Sequence, residues 1–235
     1  MEPPNRSKEA KPITPSRPQL TSDPHASTPC LTDIALWADE ARATATHYAA
    51  NHATHGETLG ALGWGSRASQ NERFAALADI ATLDDASLLD FGCGFGDFYG
   101  WLLERGFRGR YTGVDITQPM ADAAARRYAD ATFRCAGLDD AAPPLSVDYA
   151  FASGIFTYCK HAPYRYLVHV AKRLLATARL GVALNSLSSW GAEPDEHECQ
   201  LDPARAVTAL RSLDVGLTLR HDYLPHDFTV YLRKR

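Results

Sequence analysis

From residue 87 onward, short apolar runs alternate with segments whose apolar positions recur at helical spacing. The runs near 87–91, 110–115, 131–135, 147–153 and 179–185 are brief and mostly apolar, as buried strands are. The segments near 97–105, 119–129 and 162–176 read as helices, with Pro119 in a first-turn position where its missing N–H does no harm. Strand, helix and strand with short connections require parallel pairing and right-handed crossovers, hence an α/β fold. The C-terminal end breaks the rhythm. After a helix near 203–213, the strands 215–220 and 228–233 are joined by a short loop containing Pro225. That loop is too short for a crossover, so the last strand enters antiparallel.

The first eighty residues read differently. Residues 1–28 carry Pro, Ser, Thr and charged residues without periodicity and are expected to be a disordered tail. From Leu31, the positions Ile34, Leu36, Trp37, Ala41, Ala45 and Tyr48 mark a helix begun by Thr32 or Asp33 as N-cap and ending before Gly56. A glycine-rich aromatic stretch, Leu59 to Arg67, follows, and Ser66 is placed to cap a helix through Phe74, Leu77 and Ile80. The expected division is a tail over 1–28, a helical N-terminal unit over 29–80 and an α/β core over 81–235.

The chemistry is concentrated after the first strand, in Leu88-Leu89-Asp90-Phe91-Gly92-Cys93-Gly94-Phe95-Gly96-Asp97, and at the end of the second, Tyr111-Thr112-Gly113-Val114-Asp115-Ile116. Alternate glycines let the backbone turn sharply and approach a ligand, and a carboxylate at the next strand's tip can accept from both hydroxyls of a ribose. This constellation binds an adenosine-containing cofactor. A nicotinamide fingerprint needs two residues between its second and third glycines and a helix start free of acid. Here the glycines alternate and Asp97 opens the helix, so a phosphate-free, cationic cofactor fits, namely S-adenosylmethionine. The sequence resembles the first and second motifs of class I S-adenosylmethionine-dependent methyltransferases, as in their small bacterial members. The likeness continues through Leu138-Asp139, Val147-Asp148-Tyr149-Ala150 and the terminal strands, roughly residues 60–235. It implies a Rossmann-like seven-stranded sheet in the order 3-2-1-4-5-7-6, strand 7 antiparallel, helices on both faces, and an N-terminal helical lid over the cofactor.

Position assigns the expected roles. Asp90 and the backbone of Gly92, Gly94 and Gly96 orient the methionine portion, Asp115 takes the ribose, and Ile116 packs on adenine. Leu138 and Asp139 border the adenine, although Asp140 is an equal neighbour of its amino group. Arg67, beside Trp64, suits the cofactor carboxylate because a guanidinium grips it bidentately. The loop His221-Asp222-Tyr223-Leu224-Pro225-His226-Asp227 lies at the sheet's ligand edge, so His221 and His226 are candidate bases. Tyr158, just after the fourth strand, is the third candidate catalytic group, and Phe156 is a candidate for the pocket wall.

The leading activity is methyl transfer to a small-molecule acceptor by direct displacement. A second reading is the intramolecular cyclisation of azetidine-2-carboxylate synthases, which share this fold. It forms azetidine-2-carboxylate and methylthioadenosine from the cofactor alone and needs an aromatic cage, for which Trp64, Tyr99, Phe156 and Tyr158 are available. A third is a non-catalytic cofactor-binding module. The 235 residues fit one domain with a tail, and a net charge of −4 leaves no footprint for nucleic acid or anionic membrane. No apolar run reaches the length of a membrane span, and the N-terminus lacks a secretory signal's apolar core, so the expected location is cytoplasmic. Five scattered cysteines read as free thiols. His47, His52, His55 and His197-Glu198-Cys199 match no common zinc spacing, so no metal is expected.

Overall fold

A computed structural model describes residues 31–140, 146–191 and 198–235, and the tail expected over residues 1–28 lies outside them. The strands are β1 Ser87–Phe91, β2 Arg110–Asp115, β3 Thr132–Cys135, β4 Val147–Ser153, β5 Ala178–Leu187, β6 Gly216–Arg220 and β7 Asp227–Arg233. They form one sheet in the order β3-β2-β1-β4-β5-β7-β6. β7 runs antiparallel to both β5 and β6, and the remaining pairings are parallel. The helices are α1 Leu31–His55, α2 Arg67–Ala78, α3 Asp97–Leu103, α4 Gln118–Arg127, α5 Pro163–Thr177 and α6 Pro203–Leu210. β5 outruns its expected span to Leu187 because β7 supplies partners that far, Leu187 pairing with Asp227.

Period-two alternation divides the sheet between two cores. Ala150 and Ala152 of β4 and Val182 and Leu184 of β5 face Leu167, Ala171 and Leu174 of α5. Phe151 and Ala183, one position out of phase, face the opposite layer, where Phe74 and Leu77 of α2 meet Phe98 and Leu102 of α3. At the centre of the sheet, Tyr111 of β2 donates its buried hydroxyl to the buried carboxyl of Asp90 on β1. Burial pushes the Asp90 carboxyl up to about 7, against the pull of that hydrogen bond.

The N-terminal elements lie over the carboxyl ends of the strands. Ser66 caps α2 as expected, its side chain accepting from the Ser69 N–H at 3.1 Å. α1 differs from its reading. Asp33 is not a cap but a buried anchor, receiving His161 Nε2 at 2.9 Å and Arg165 at 2.8 Å. Trp37 donates its indole N–H to the His161 carbonyl, and Glu40 accepts from the backbone N–H groups of Lys160 and His161. These contacts fix α1 to the turn before α5, where Ala162 holds a left-handed φ of 44°. Ile34 and Leu36, read as part of the apolar stripe, point to solvent instead.

Two outcomes follow from the sheet centre. A Cβ on Gly113 would lie 2.5 Å from Phe133 and 2.8 Å from the Cys93 sulfur. Gly113→Ala is therefore expected to cost about 1–3 kcal/mol by overpacking, a fall in Tm of several degrees. An unchanged melting temperature would contradict that. For Asp90, the unfolded chain releases its proton near about pH 4, whereas the folded protein keeps it until about pH 7. Stability at this site therefore falls as pH rises through that window. Asp90→Asn removes the titrating carboxyl, so the variant should lose less Tm than the wild type between about pH 5 and about pH 8. Parallel Tm curves for the two proteins would show that Asp90 ionises freely.

Candidate active site

The carboxyl ends of β1, β2 and β4 open into a cavity of about 840 Å³, roofed by α1, the segment 63–66 and α2. That is toward the upper end of the roughly 300–1,000 Å³ typical of ligand sites. The turn after β1 enters it with Gly92 and Gly94, both at positive φ, 83° and 52°. A side chain at either would collide with a neighbour, Ile155 over Gly92 and Leu62 over Gly94, so the turn admits close approach only as glycine.

Asp115, at the end of β2, is buried and lines the same cavity. Its Oδ2 accepts the Gly94 N–H at 2.9 Å and its Oδ1 the Thr117 N–H at 2.8 Å. Burial raises its carboxyl above the ordinary aspartate value, and the two amides pull it back down. Each oxygen keeps a lone pair for a ligand hydroxyl. Ile116, Met120 and Leu138 give this end apolar walls, and Asp139 borders it while bonded to His169 at 3.0 Å. Asp140, the alternative to Asp139, turns back onto the Gly137 N–H. At the end of β4, the Ser153 hydroxyl is buried on the cavity wall with no hydrogen-bond partner among the described residues.

Several expected residues stand elsewhere. Gly96 does not line the cavity; the space where its Cβ would stand is hemmed by Tyr128 and Phe133 at 3.1–3.2 Å, so its absent side chain serves packing. Arg67 is also outside the lining, held by Gln70 and by Asp97 at 3.5 Å, because the acid that opens α3 is the nearer counter-charge. Asp97 in turn pairs with Arg127 at 3.1 Å, so its charge is already neutralised. His221 bonds Ser188 Oγ at 2.7 Å beneath Trp190 and does not reach the cavity. Tyr99 bonds Asp130 and Phe156 is core, so of the four aromatics named for a cage only Trp64 and Tyr158 line the site.

Tyr158 and His226 do line it. The Tyr158 hydroxyl lies 3.4 Å from His47 Nε2, with Tyr48 packed edge-on against its ring. Burial raises the Tyr158 phenol, and burial together with the Arg73 charge lowers the His226 imidazole. The sequence reading missed Arg73, Gln70 and Tyr48. Gln70, Arg73, Phe74 and Leu77 occupy i, i+3, i+4 and i+7, one buried helical stripe. Two polar residues in such a stripe were a legible signal of a site.

A family model described as a methyltransferase domain matches residues 88–178. A Mycobacterium tuberculosis protein named "Putative methyltransferase Rv1506c" is 33% identical over 165 residues, 66% of this chain and 97% of that protein. Among solved structures, the DhpI-SAH complex matches with a TM-score of 0.60 at 14% identity, over 83% of this chain and 95% of that one. Magnesium protoporphyrin IX methyltransferase (ChlM) from Synechocystis, with bound SAH, matches with a TM-score of 0.55 at 15% identity, over 72% and 83%. Structural likeness at these identities speaks for the fold, and the sequence relative, covered almost end to end, speaks for descent. The chain belongs to the class I S-adenosylmethionine-dependent methyltransferases.

Proposed function

We propose that this methyltransferase acts on a small-molecule acceptor by direct displacement within the cavity under α1 and α2. The observation that carries this reading is the enclosure. One continuous cavity runs from Asp115, over the glycine turn, to Tyr158 and His226, and its roof is made of the protein's own N-terminal helices. In the described residues no helix is long and apolar enough to cross a membrane, and the charge of the whole chain is −4. Neither feature favours a lipid or polyanionic substrate.

In this reading Asp115 accepts from the ribose hydroxyls, Ile116 and Leu138 enclose the adenine, and Asp139 borders its amino group. Gly92 and Gly94 allow the backbone to meet the methionine portion, with Asp90 and the unpartnered Ser153 hydroxyl beside it. The unit over 29–80 serves as a lid, and its Trp64 closes over the cofactor's far end. S-adenosylmethionine supplies an electrophilic methyl carbon and departs as a thioether. The protein aligns the acceptor with that carbon and excludes water, which supplies much of the acceleration. His226, held neutral at physiological pH, is the residue able to receive the acceptor's proton. Tyr158, whose phenol stays protonated, orients the nucleophile by donating a hydrogen bond.

The deciding experiment incubates the purified protein with S-adenosylmethionine, first alone and then with a library of small nucleophiles, and analyses products by mass. S-adenosylhomocysteine formed only when an acceptor is present is the expected result. Methylthioadenosine above the spontaneous background with no acceptor added would replace this reading by cyclisation. Within the site, Asp115→Ala removes an acceptor to two hydroxyls, worth about 1.5–3 kcal/mol. Calorimetry should show S-adenosylhomocysteine bound roughly tenfold more weakly or worse. Unaltered affinity in a folded variant would take Asp115 out of the cofactor site.

A further inference from the structure

The end of the cavity away from Asp115 is built around a buried cation. Arg73, on α2, is 8% exposed and lines the wall beside Trp64, whose ring lies 4.5 Å from the guanidinium carbon. One of its terminal nitrogens contacts Asp227, the first residue of β7, which is fully buried and does not line the cavity. The pair is incompletely satisfied. Arg73 Nε and both Asp227 oxygens are buried without a hydrogen-bond partner among the described residues. The second terminal nitrogen of Arg73 is not among these buried orphans and has no partner there either.

A guanidinium has five N–H donors in a rigid fork, and taking it out of water is costly unless they are used. This one is gripped by a carboxylate that burial pushes up to about 7, and its carbon lies 4.5 Å from the centre of the Trp64 ring, which limits its movement. The fork therefore has one edge committed to the protein and one left for the cavity. Other polar groups at this end are His226, whose imidazole the Arg73 charge helps hold neutral, and Glu198 and Gln200, each itself engaged in an interaction. Gln70, one turn earlier on α2, is spent on Arg67 and Asp97, so it does not compete for Arg73.

We propose that the open edge of Arg73 binds a carboxylate of the methyl acceptor, with Asp227 as the residue that positions the guanidinium. A planar carboxylate matches the fork bidentately, and its charge replaces what Asp227 supplies only in part. The inference rests on the small-molecule methyltransferase reading and narrows its substrate class to carboxylic acids. The acceptor's other end is then held toward Tyr158 and the transferred methyl group.

The test uses the full chain loaded with S-adenosylhomocysteine. A panel of small aliphatic and aromatic monocarboxylates and dicarboxylates, with the matching amides and amines as controls, is titrated into it by calorimetry and by tryptophan fluorescence. At least one carboxylate should bind and perturb Trp64, with the signal missing in Trp64→Phe, and its amide should not bind. Arg73→Lys keeps the charge but not the fork, and Arg73→Gln removes both. Each should weaken carboxylate binding roughly ten- to hundredfold while leaving S-adenosylhomocysteine affinity within about twofold. Since Arg73→Gln alone strands Asp227, the paired variant Arg73→Gln with Asp227→Asn keeps the comparison open if the single variant fails to fold. The idea is overturned if the panel gives no carboxylate response, if amines bind instead, or if the Arg73 variants lose the cofactor along with the carboxylate. Failure of S-adenosylhomocysteine to bind the wild type would instead refute the underlying cofactor-site reading.

Discussion

One carboxylate holds the β1 and β2 end of the cavity together. Asp115 reaches from the tip of β2 to the Gly94 N–H in the turn after β1 and to the Thr117 N–H at the start of α4. Two turns from two βα units are thus pinned to a single buried carboxyl group. Without it, two backbone donors would lose their partners, each at a cost of about 1–3 kcal/mol. The left-handed conformation at Gly94 would also lose the hydrogen bond that holds its N–H. The position follows from parallel pairing, which sets Phe91 opposite Val114 and so brings both strand ends to the same level.

The α/β layout was legible because its signals are local. Apolar runs of strand length, a glycine turn, Pro119 and Ser66 each act within a few residues of the place they mark, and the elements formed where those signals stood. The site was legible in the same measure. Asp90, Gly92, Gly94, Asp115 and Ile116 reach the cavity because strand ends and turns fix them through the backbone. The misses depend on side chains meeting across long sequence separations. Arg67 had a nearer anion in Asp97, 30 residues on, and His221 found Ser188, 33 residues back. Gly96 is hemmed by Tyr128 and Phe133 rather than turned to a ligand. Neither partner choice can be read from periodicity.

Arg73 illustrates the opposite case. Its burial contradicts its hydrophilicity, and the stripe it shares with Phe74 and Leu77 shows that contradiction in the sequence itself. A charged residue at a core position of a helix is expensive unless something pairs with it. Its partner, Asp227, lies more than 150 residues away on a strand that must run antiparallel to reach it. The antiparallel strand is thus not only a way to finish the sheet. It delivers the counter-ion that lets α2 present a guanidinium at the cavity.

The two ends of the cavity also differ in the kind of structure that makes them. Gly92, Gly94, Asp115, Leu138 and Tyr158 all fall within residues 88–178, the span that matches the methyltransferase family model. Gly92, Gly94 and Asp115 take their geometry from strand ends and backbone hydrogen bonds, which tolerate little change. Arg73, Leu187, Glu198, Gln200 and His226 fall outside that span and come from α2, the end of β5, the segment leading to α6 and the entry to β7. There the contacts run between side chains, so single substitutions can change charge and shape without moving the sheet. A cavity divided this way can keep the half built on strand ends constant while the half built on side chains varies in charge and shape.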